Sequence, residues 1–403
     1  MKLAIITALP PSKVTLTEYG YHLVKSFKFQ EEIEELILLT DEVDEERTLD
    51  MTQGGCKVTV KPCWSFNSYT NVWTVQKAIS QTRPDAVLFN LQFLKFGDKK
   101  VPAALGLLLP ALCKLRGIPT IVLLHNILEQ VDLDNAGFTG NRWLQKLYGL
   151  IGTLLTRTVL CADVVAVTIS KYVEILNKKY KTGNVVLIPH GSFEVPPEPS
   201  FELPEGSLKI MAFGKFGTYK KVEVLIEAVE LVRSRIQTDL EIVIAGTDSP
   251  NTPGYLKEVH EKYSHVPKLT FTGYVEEEDV PRLFNESAVV VFPYTSTTGS
   301  SGVLHQAGSY GKAVVLPDIG DLGILIREEG YAGEFFTPGD ASSLADALEA
   351  IVTDNLRRIL LGQVNYVAAC SLPMDKITAM YLEQFRTILE KRNNAPQLIP
   401  DSF

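Results

Sequence analysis

Short, nearly continuous apolar runs alternate with helix-like segments along the whole chain, and this alternation restricts the fold more than any other feature. The runs read KLAIITAL, ELILLTD, DAVLFNLQ, TIVLLHN and DVVAVTIS in the first half, and LKIMAFGK, LEIVIAG, LTFTGYV, AVVVFPY and KAVVLPD in the second. Strands that are apolar on both faces belong to parallel sheets covered by helices on both sides. The sequence therefore predicts an α/β, doubly wound fold whose pattern runs twice.

A segment rich in Pro, Gly, Ser and Glu separates the two halves and reads GSFEVPPEPSFELPEGS. Such a composition continues neither a helix nor a strand. The 403 residues suffice for two domains of about 180–200 residues each. We predict a first domain over residues 1–190, a linker over 191–207, a second domain over 208–373, and a C-terminal helix within 374–403 that returns to the first domain.

Charge and cysteine usage exclude several classes of protein. The formal net charge of −9 argues against general nucleic-acid binding, which needs a basic surface. The five cysteines are scattered and form no CxxC pair, so neither a zinc site nor a disulfide framework is indicated. No apolar run reaches the ~20 residues that cross a bilayer. We therefore expect a cytoplasmic protein without a metal site.

Two lysines follow the strand LKIMAFGK and predict an anion site. Gly214 is expected to end the strand, with Lys215 in the following loop and Lys220 at the start of the next helix. A lysine at the mouth of a parallel sheet suits a diphosphate because its ammonium is a compact positive charge. Taken alone, the two lysines are better explained as solvated surface residues, since loops at helix starts are usually exposed.

A loop of small residues, TSTTGSSG, lies between the strand AVVVFPY and a helix predicted from Gly302 to about Tyr310. A Gly/Ser loop that opens a helix presents backbone N–H groups at the positive end of the helix dipole, which is an anion site. A plain flexible turn is the alternative. The candidate phosphate ligands are Gly299, Ser300, Ser301, Gly302 and Val303.

The order of these motifs resembles the family 4 retaining glycosyltransferases of GT-B fold. The matching strings in the second half are GK followed by KK, FTGYV, PYTSTTGSSGVLHQAGSYGKAVV and GEFFTPGDASSLADAL, and those in the first half are ADVVAVTISKYVEIL and VVLIPHGS. The resemblance covers nearly the whole chain. It implies two Rossmann-like domains facing across a cleft, a UDP- or GDP-linked sugar as donor, and no further cofactor.

The resemblance also assigns roles in the donor site. The family carries two glutamates separated by seven residues, where this chain has Thr298 and Gln306. The first glutamate contacts donor sugar hydroxyls and the second contacts the ribose. Gln306 keeps an acceptor oxygen for the ribose, whereas Thr298 is shorter and neutral. Donor identity therefore stays open.

His125 is the first histidine candidate, because it ends the strand TIVLLHN where several family members place a histidine facing the donor sugar. A structural hydrogen bond is the alternative role. His190 and His305 rank below it. Further candidates that would line the cleft are Lys13, Thr15, Asn126 and Ser170.

The implied reaction moves a hexosyl group from the nucleotide sugar to an acceptor hydroxyl with retention at the anomeric carbon. The charge that develops on the diphosphate would be stabilised by Lys215, Lys220 and the loop N–H groups without a metal. Two alternatives remain open: another GT-B enzyme such as an epimerase or a phosphorylase, and a non-catalytic partner subunit. The acceptor and the oligomeric state are not predicted.

Three remaining features are interpreted as structural. Glu328 and Glu329 are expected at a solvated helix end. We expect ordinary packing in the core for the aromatic cluster of Trp64, Phe66, Tyr69 and Trp73, with a wall of an acceptor pocket as the alternative. Residues 143–160 are apolar with Arg142, Lys146 and Arg157 nearby, which suits either a buried helix, the preferred interpretation, or a peripheral contact with anionic lipid.

Overall fold

The computed structural model describes residues 1–43, 54–130, 142–249, 251–297 and 299–394, with no account of the side chains of residues 130 and 142–148. These residues divide into two compact units. The first unit holds residues 1–190 and the C-terminal helix, and the second holds residues 191–373. The boundary after His190 falls where the first domain is predicted to end.

A parallel sheet forms the centre of the first unit. Its strands are β1 Lys2–Ile6, β2 Glu35–Asp41, β3 Lys57–Trp64, β4 Ala86–Leu91, β5 Thr120–Leu124, β6 Val164–Val167 and β7 Val185–Leu187. They lie in the order β3-β2-β1-β4-β5-β6-β7. The helices are α1 Thr17–Phe27, α2 Asn71–Thr82, α3 Lys100–Gly106, α4 Leu109–Leu115, α5 Arg142–Val159 and α6 Ser170–Tyr180, joined by the C-terminal helix Met374–Asn393.

A second parallel sheet forms the centre of the other unit. Its strands are β8 Leu208–Phe216, β9 Leu240–Asp248, β10 Leu269–Gly273, β11 Ser287–Val291, β12 Ala313–Leu316 and β13 Glu334–Phe335, in the order β10-β9-β8-β11-β12-β13. The helices are α7 Glu223–Arg235, α8 Tyr255–Lys262, α9 Val280–Glu286, α10 Gly302–Ser309, α11 Gly320–Glu329, α12 Ala341–Val352 and α13 Asn355–Ser371. The C-terminal helix is therefore α14.

Burial explains why the apolar runs form these strands. Every residue of β4, β5, β11 and β12 is buried, as expected of strands covered on both faces. Both sheets are parallel throughout, which confirms the predicted α/β doubly wound class.

The segment predicted as a linker, residues 191–207, belongs to the second unit. The Tyr366 hydroxyl donates to the Pro196 carbonyl at 2.8 Å, and Arg358 Nη2 donates to the Phe201 carbonyl at 2.8 Å. Both donors lie on α13. The proline-rich segment therefore runs along this helix instead of standing free.

The first strand of the second unit is longer than predicted. Gly214 and Lys215 lie inside β8, because its pairing with β9 continues to Phe216. Gly214 lies opposite Gly246, and both glycines have positive φ. A Cβ at Gly246 would lie 1.9 Å from the Gly214 carbonyl oxygen. The glycine that seemed to end the strand thus permits two strands to approach closely.

Candidate functional site in the second unit

A small pocket of about 90 Å³ opens at the start of α10. It brings together Lys220 and all five candidate phosphate ligands of the loop that precedes and opens this helix. The lining residues are Tyr219, Lys220, Tyr294, Thr297, Gly299, Ser300, Ser301, Gly302, Val303 and Leu322. Lys220 and these five loop residues, which the sequence predicts as parts of an anion site, therefore line one cavity within the second unit.

Backbone pairing between two loops places Lys220 in this pocket. Lys220 forms an isolated antiparallel bridge with Tyr294. On either side of it, the Lys221 N–H donates to the Pro293 carbonyl at 2.9 Å and the Thr295 N–H donates to the Tyr219 carbonyl at 2.8 Å. The segment after β8 is thus held against the segment after β11. Two loops that are distant in sequence together form one wall.

The Lys220 ammonium lies beside two aromatic rings. Its Nζ is 4.7 Å from the ring centroid of Tyr294 and 5.9 Å from that of Tyr219. Burial lowers the pKa of Lys220 below its ordinary value. An anion bound in the pocket would favour the charged form and raise this pKa again. The site is therefore suited to bind a phosphate and unsuited to hold a cation.

The start of α10 contributes the second positive element. The helix begins at Gly302, and its N-cap residue Ser301 makes no side-chain capping hydrogen bond. The first N–H groups of a helix have no acceptor within the helix, and they lie at the positive end of its dipole. Backbone donors and the Lys220 ammonium thus converge on the same small volume.

A buried carboxylate holds the loop in front of α10. Asp321, on α11, accepts a hydrogen bond of 2.8 Å from the Gly299 N–H through Oδ2. The neighbouring Thr297 hydroxyl donates to the Ile319 carbonyl at 3.0 Å and accepts from the Leu322 N–H at 3.2 Å. Sequence reasoning missed Asp321, although a carboxylate directly after Gly320 at a helix start was a visible signal.

The other predicted donor residues differ in their positions. Gly214 lies under the pocket, since a Cβ there would be 3.0 Å from Lys220 Nζ and 3.9 Å from Val303 Cγ2. Lys215 is exposed on β8 and does not line the pocket, so the two lysines do not act together here. Gln306 is buried on α10, one turn beyond the loop. Thr298 lies outside the described residues.

His125 belongs to a separate network in the first unit. Its Nε2 lies 2.7 Å from Asn90 Oδ1, and Asn90 Nδ2 donates to Thr7 Oγ1 at 3.0 Å. Because the amide nitrogen of Asn90 is the donor to Thr7, its oxygen accepts, and His125 carries its proton on Nε2. The apolar strand DAVLFNLQ contains this asparagine, and a polar residue inside such a run was the available signal.

Burial keeps His125 neutral. The pKa of His125 lies well below its ordinary value because burial, His190 and Lys95 all disfavour the imidazolium. The Tyr19 ring packs edge-on to both histidines, with centroid distances of 4.6 Å. His125 can therefore donate a hydrogen bond at neutral pH but is not a general acid in the imidazolium form.

A buried lysine supports the loop after β1. Lys95 is fully buried, and its Nζ donates to the Thr15 carbonyl at 2.8 Å. Burial lowers its pKa to about 7. The candidates Lys13 and Thr15 both have exposed side chains on this loop, and the Thr15 hydroxyl accepts a hydrogen bond from Gln92. Lys95, which sequence reasoning missed, thus fixes the backbone that carries them.

Two of the structural expectations are wrong. Glu329 is not solvated: its side chain is 7% exposed and lies 3.5 Å from His305 Nδ1, and burial raises the pKa of Glu329 to about 8. The aromatic cluster does not pack together in the core. Trp64 is buried against Phe96, but the side chains of the other three members, Phe66, Tyr69 and Trp73, are exposed.

Part of this chain resembles known proteins in sequence. Residues 207–354 match the family model of glycosyl transferases group 1. The D-inositol 3-phosphate glycosyltransferase of Arthrobacter sp. (strain FB24) is 26% identical over 191 residues, which are 47% of this chain and 45% of that protein. The match spans about half the length of this relative.

Solved structures resemble the chain over almost its whole length. Sucrose-phosphate synthase from Thermosynechococcus elongatus has a TM-score of 0.70 at 15% identity, covering 97% of this chain and 100% of that one. Anabaena HepE in complex with UDP has a TM-score of 0.69 at 16% identity, covering 96% and 100%. Residues 207–354 therefore resemble the group 1 glycosyl transferases, in a chain with the fold of the GT-B glycosyltransferases.

Proposed function

We propose that the chain transfers a hexosyl group from a nucleotide sugar to an acceptor hydroxyl, with retention of the anomeric configuration. The main support for this proposal is that Lys220 and the residues at the start of α10 line the same pocket. That pocket suits the diphosphate of the donor. Anabaena HepE has been solved with UDP and with UDP-glucose, which favours a UDP-linked sugar over a GDP-linked one.

In this proposal the protein acts chiefly on the leaving diphosphate. The acceptor oxygen forms a bond to the anomeric carbon as the bond from that carbon to the phosphate oxygen breaks, and the acceptor proton passes to the departing phosphate. Lys220 and the N–H groups near Ser301 stabilise the charge that develops there, without a metal ion or further cofactor. Such a donor contributes about 3 kcal/mol to lowering the barrier.

The resemblance to the family 4 glycosyltransferases supports roles for two further residues. Gln306 is proposed to accept hydrogen bonds from the ribose, and neutral His125 to donate one to the donor sugar. We expect the reaction in a reducing compartment such as the cytoplasm, since all five cysteines are free thiols.

Donor hydrolysis tests the proposal without knowledge of the acceptor. The purified chain is incubated with UDP-glucose or GDP-mannose, release of nucleotide is followed over time, and NMR records the anomer first released. We expect slow hydrolysis of one donor with retention, and its loss in Lys220→Ala. Release of the inverted anomer contradicts the retaining mechanism. Nucleotide binding without any turnover, in the presence of diverse hydroxyl acceptors, identifies the non-catalytic alternative.

A further inference from the structure

Helix α5 presents an apolar face to solvent. The side chains of Leu150 and Leu154 are 67% and 64% exposed, and Ile151 is 42% exposed. The preferred interpretation of this segment as a buried helix is therefore wrong for these positions. Leu150, Leu154 and Arg157 follow a spacing of four and three residues, which places them on one side of a helix. Exposed aliphatic side chains grouped in this way indicate a binding surface.

The charge of the helix identifies the kind of partner. Within α5 the sequence has three basic residues, Arg142, Lys146 and Arg157, and no acidic residue, although the whole chain carries a net charge of −9. Arg157 is exposed on the same side as the two leucines. An apolar stripe with basic residues beside it is the pattern of helices that lie in the surface of an anionic bilayer.

A helix that lies in the surface of a bilayer differs from one that spans it. Among the helices of the described residues, none is long and apolar enough to cross a membrane. We propose that α5 docks the chain peripherally on an anionic lipid surface, with Leu150 and Leu154 entering the headgroup boundary and Arg157 contacting lipid phosphates. This inference does not depend on the proposed function, because it concerns the first unit and is tested without a donor.

Helix α13 offers a matched control surface. Its side chains of Leu356 and Leu360 are 73% and 60% exposed, similar to the leucines of α5. The neighbouring Arg357 is engaged by Glu334, with Nε donating to Oε1 at 2.6 Å. Arg358, the other basic residue of α13, is buried. The stripe on α13 is thus comparably apolar but has no unpaired exposed basic residue beside it among those of the helix, so it is not expected to bind anionic lipid.

Cosedimentation with vesicles tests the proposal. The full chain is mixed with phosphatidylcholine vesicles that contain or lack phosphatidylglycerol. We expect binding only with phosphatidylglycerol, loss of binding in L150S/L154S, and unchanged binding in L356S/L360S. Arg157→Gln should lower the partition coefficient about fivefold, as expected for one basic residue at a charged surface. Added salt should weaken binding because the attraction is screened.

Several outcomes would overturn the proposal. These are no binding of the wild-type chain, equal binding to neutral vesicles, or binding that survives in L150S/L154S. A concentration-dependent dimer that L150S/L154S abolishes, without vesicle binding, would instead show that a second copy covers this face. Thermal unfolding checks that L150S/L154S and L356S/L360S fold, because a folded chain melts cooperatively.

Discussion

The Gly299 N–H donates a hydrogen bond of 2.8 Å to Oδ2 of Asp321, whose side chain is buried at the start of α11. This bond ties the loop that opens α10 to the next helix of the unit. The backbone donors proposed to bind phosphate therefore depend on a residue that does not itself line the pocket.

Replacing Asp321 by Ala should loosen this loop. We expect nucleotide affinity to fall about tenfold and the free energy of unfolding to fall by about 1–3 kcal/mol, since a buried donor loses its partner. Calorimetric titration with UDP and chemical denaturation measure the two effects. Asp318→Ala is the control, because Asp318 is half exposed and pairs with Arg327 at the surface. A folded Asp321→Ala chain with wild-type affinity would contradict the role of the loop.

Comparing Gly214→Ala with Gly206→Ala should separate the effect of backbone strain on nucleotide affinity from the effect of displacing the Lys220 ammonium. Gly214 has a φ of 129°, and a Cβ there would lie 3.0 Å from Lys220 Nζ. Gly206 has a φ of 116° and open space around its Cβ position, so Gly206→Ala reports strain alone. Both variants should lose about 1–3 kcal/mol of stability, but only Gly214→Ala should lose nucleotide affinity. Equal affinities in the two variants would show that displacement of the ammonium is unimportant.

The Asn90–His125 pair predicts a specific protonation state. In the wild-type chain, nitrogen NMR at pH 6 should show His125 protonated on Nε2 alone, because its pKa lies well below the ordinary value. Asn90→Asp supplies a carboxylate that favours the imidazolium, so both nitrogens should then be protonated. Observation of the imidazolium in the wild-type chain at pH 6 would refute the assignment.

Glu329 predicts how stability changes with pH. Burial raises its pKa from 4.5 to about 8 in the folded state. The stabilisation from its protonated form is complete below pH 4.5 and is lost as the pH rises towards 8. Relative to the wild-type chain, Glu329→Gln should therefore gain about 1.4 kcal/mol per pH unit over that interval.

Denaturation at several pH values between 4.5 and 8 measures this difference. Glu328→Gln, at the exposed neighbouring position, removes only the smaller contribution of charge repulsion to the raised pKa of Glu329 and should show a much weaker trend. A stability difference between Glu329→Gln and the wild-type chain that does not change with pH would show that the buried carboxyl does not titrate as described.

Much of the fold could be predicted because strands that are buried on both faces appear in the sequence as continuous apolar runs. The loop before α10 was also predicted, since a Gly/Ser loop that opens a helix presents backbone N–H groups at the positive end of the helix dipole. Residues that act through tertiary contacts were not. Asp321 and Lys95 hold loops distant in sequence. Glu329 looks like a surface residue in the sequence, but its side chain is buried beside His305 of α10.

The most direct test of the proposed donor site is whether nucleotide binding requires Lys220. Thermal unfolding of the wild-type, Lys220→Ala and Lys221→Ala chains is followed with UDP, GDP, ADP, CMP and dTDP. Lys221 is the control because its Nζ lies 4.9 Å from the Tyr255 ring centroid and it does not line the pocket. We predict that one nucleoside diphosphate, expected to be UDP, stabilises the wild-type and Lys221→Ala chains but not Lys220→Ala. Absence of stabilisation by any nucleotide, or equal stabilisation of Lys220→Ala, would contradict the assignment of the donor site.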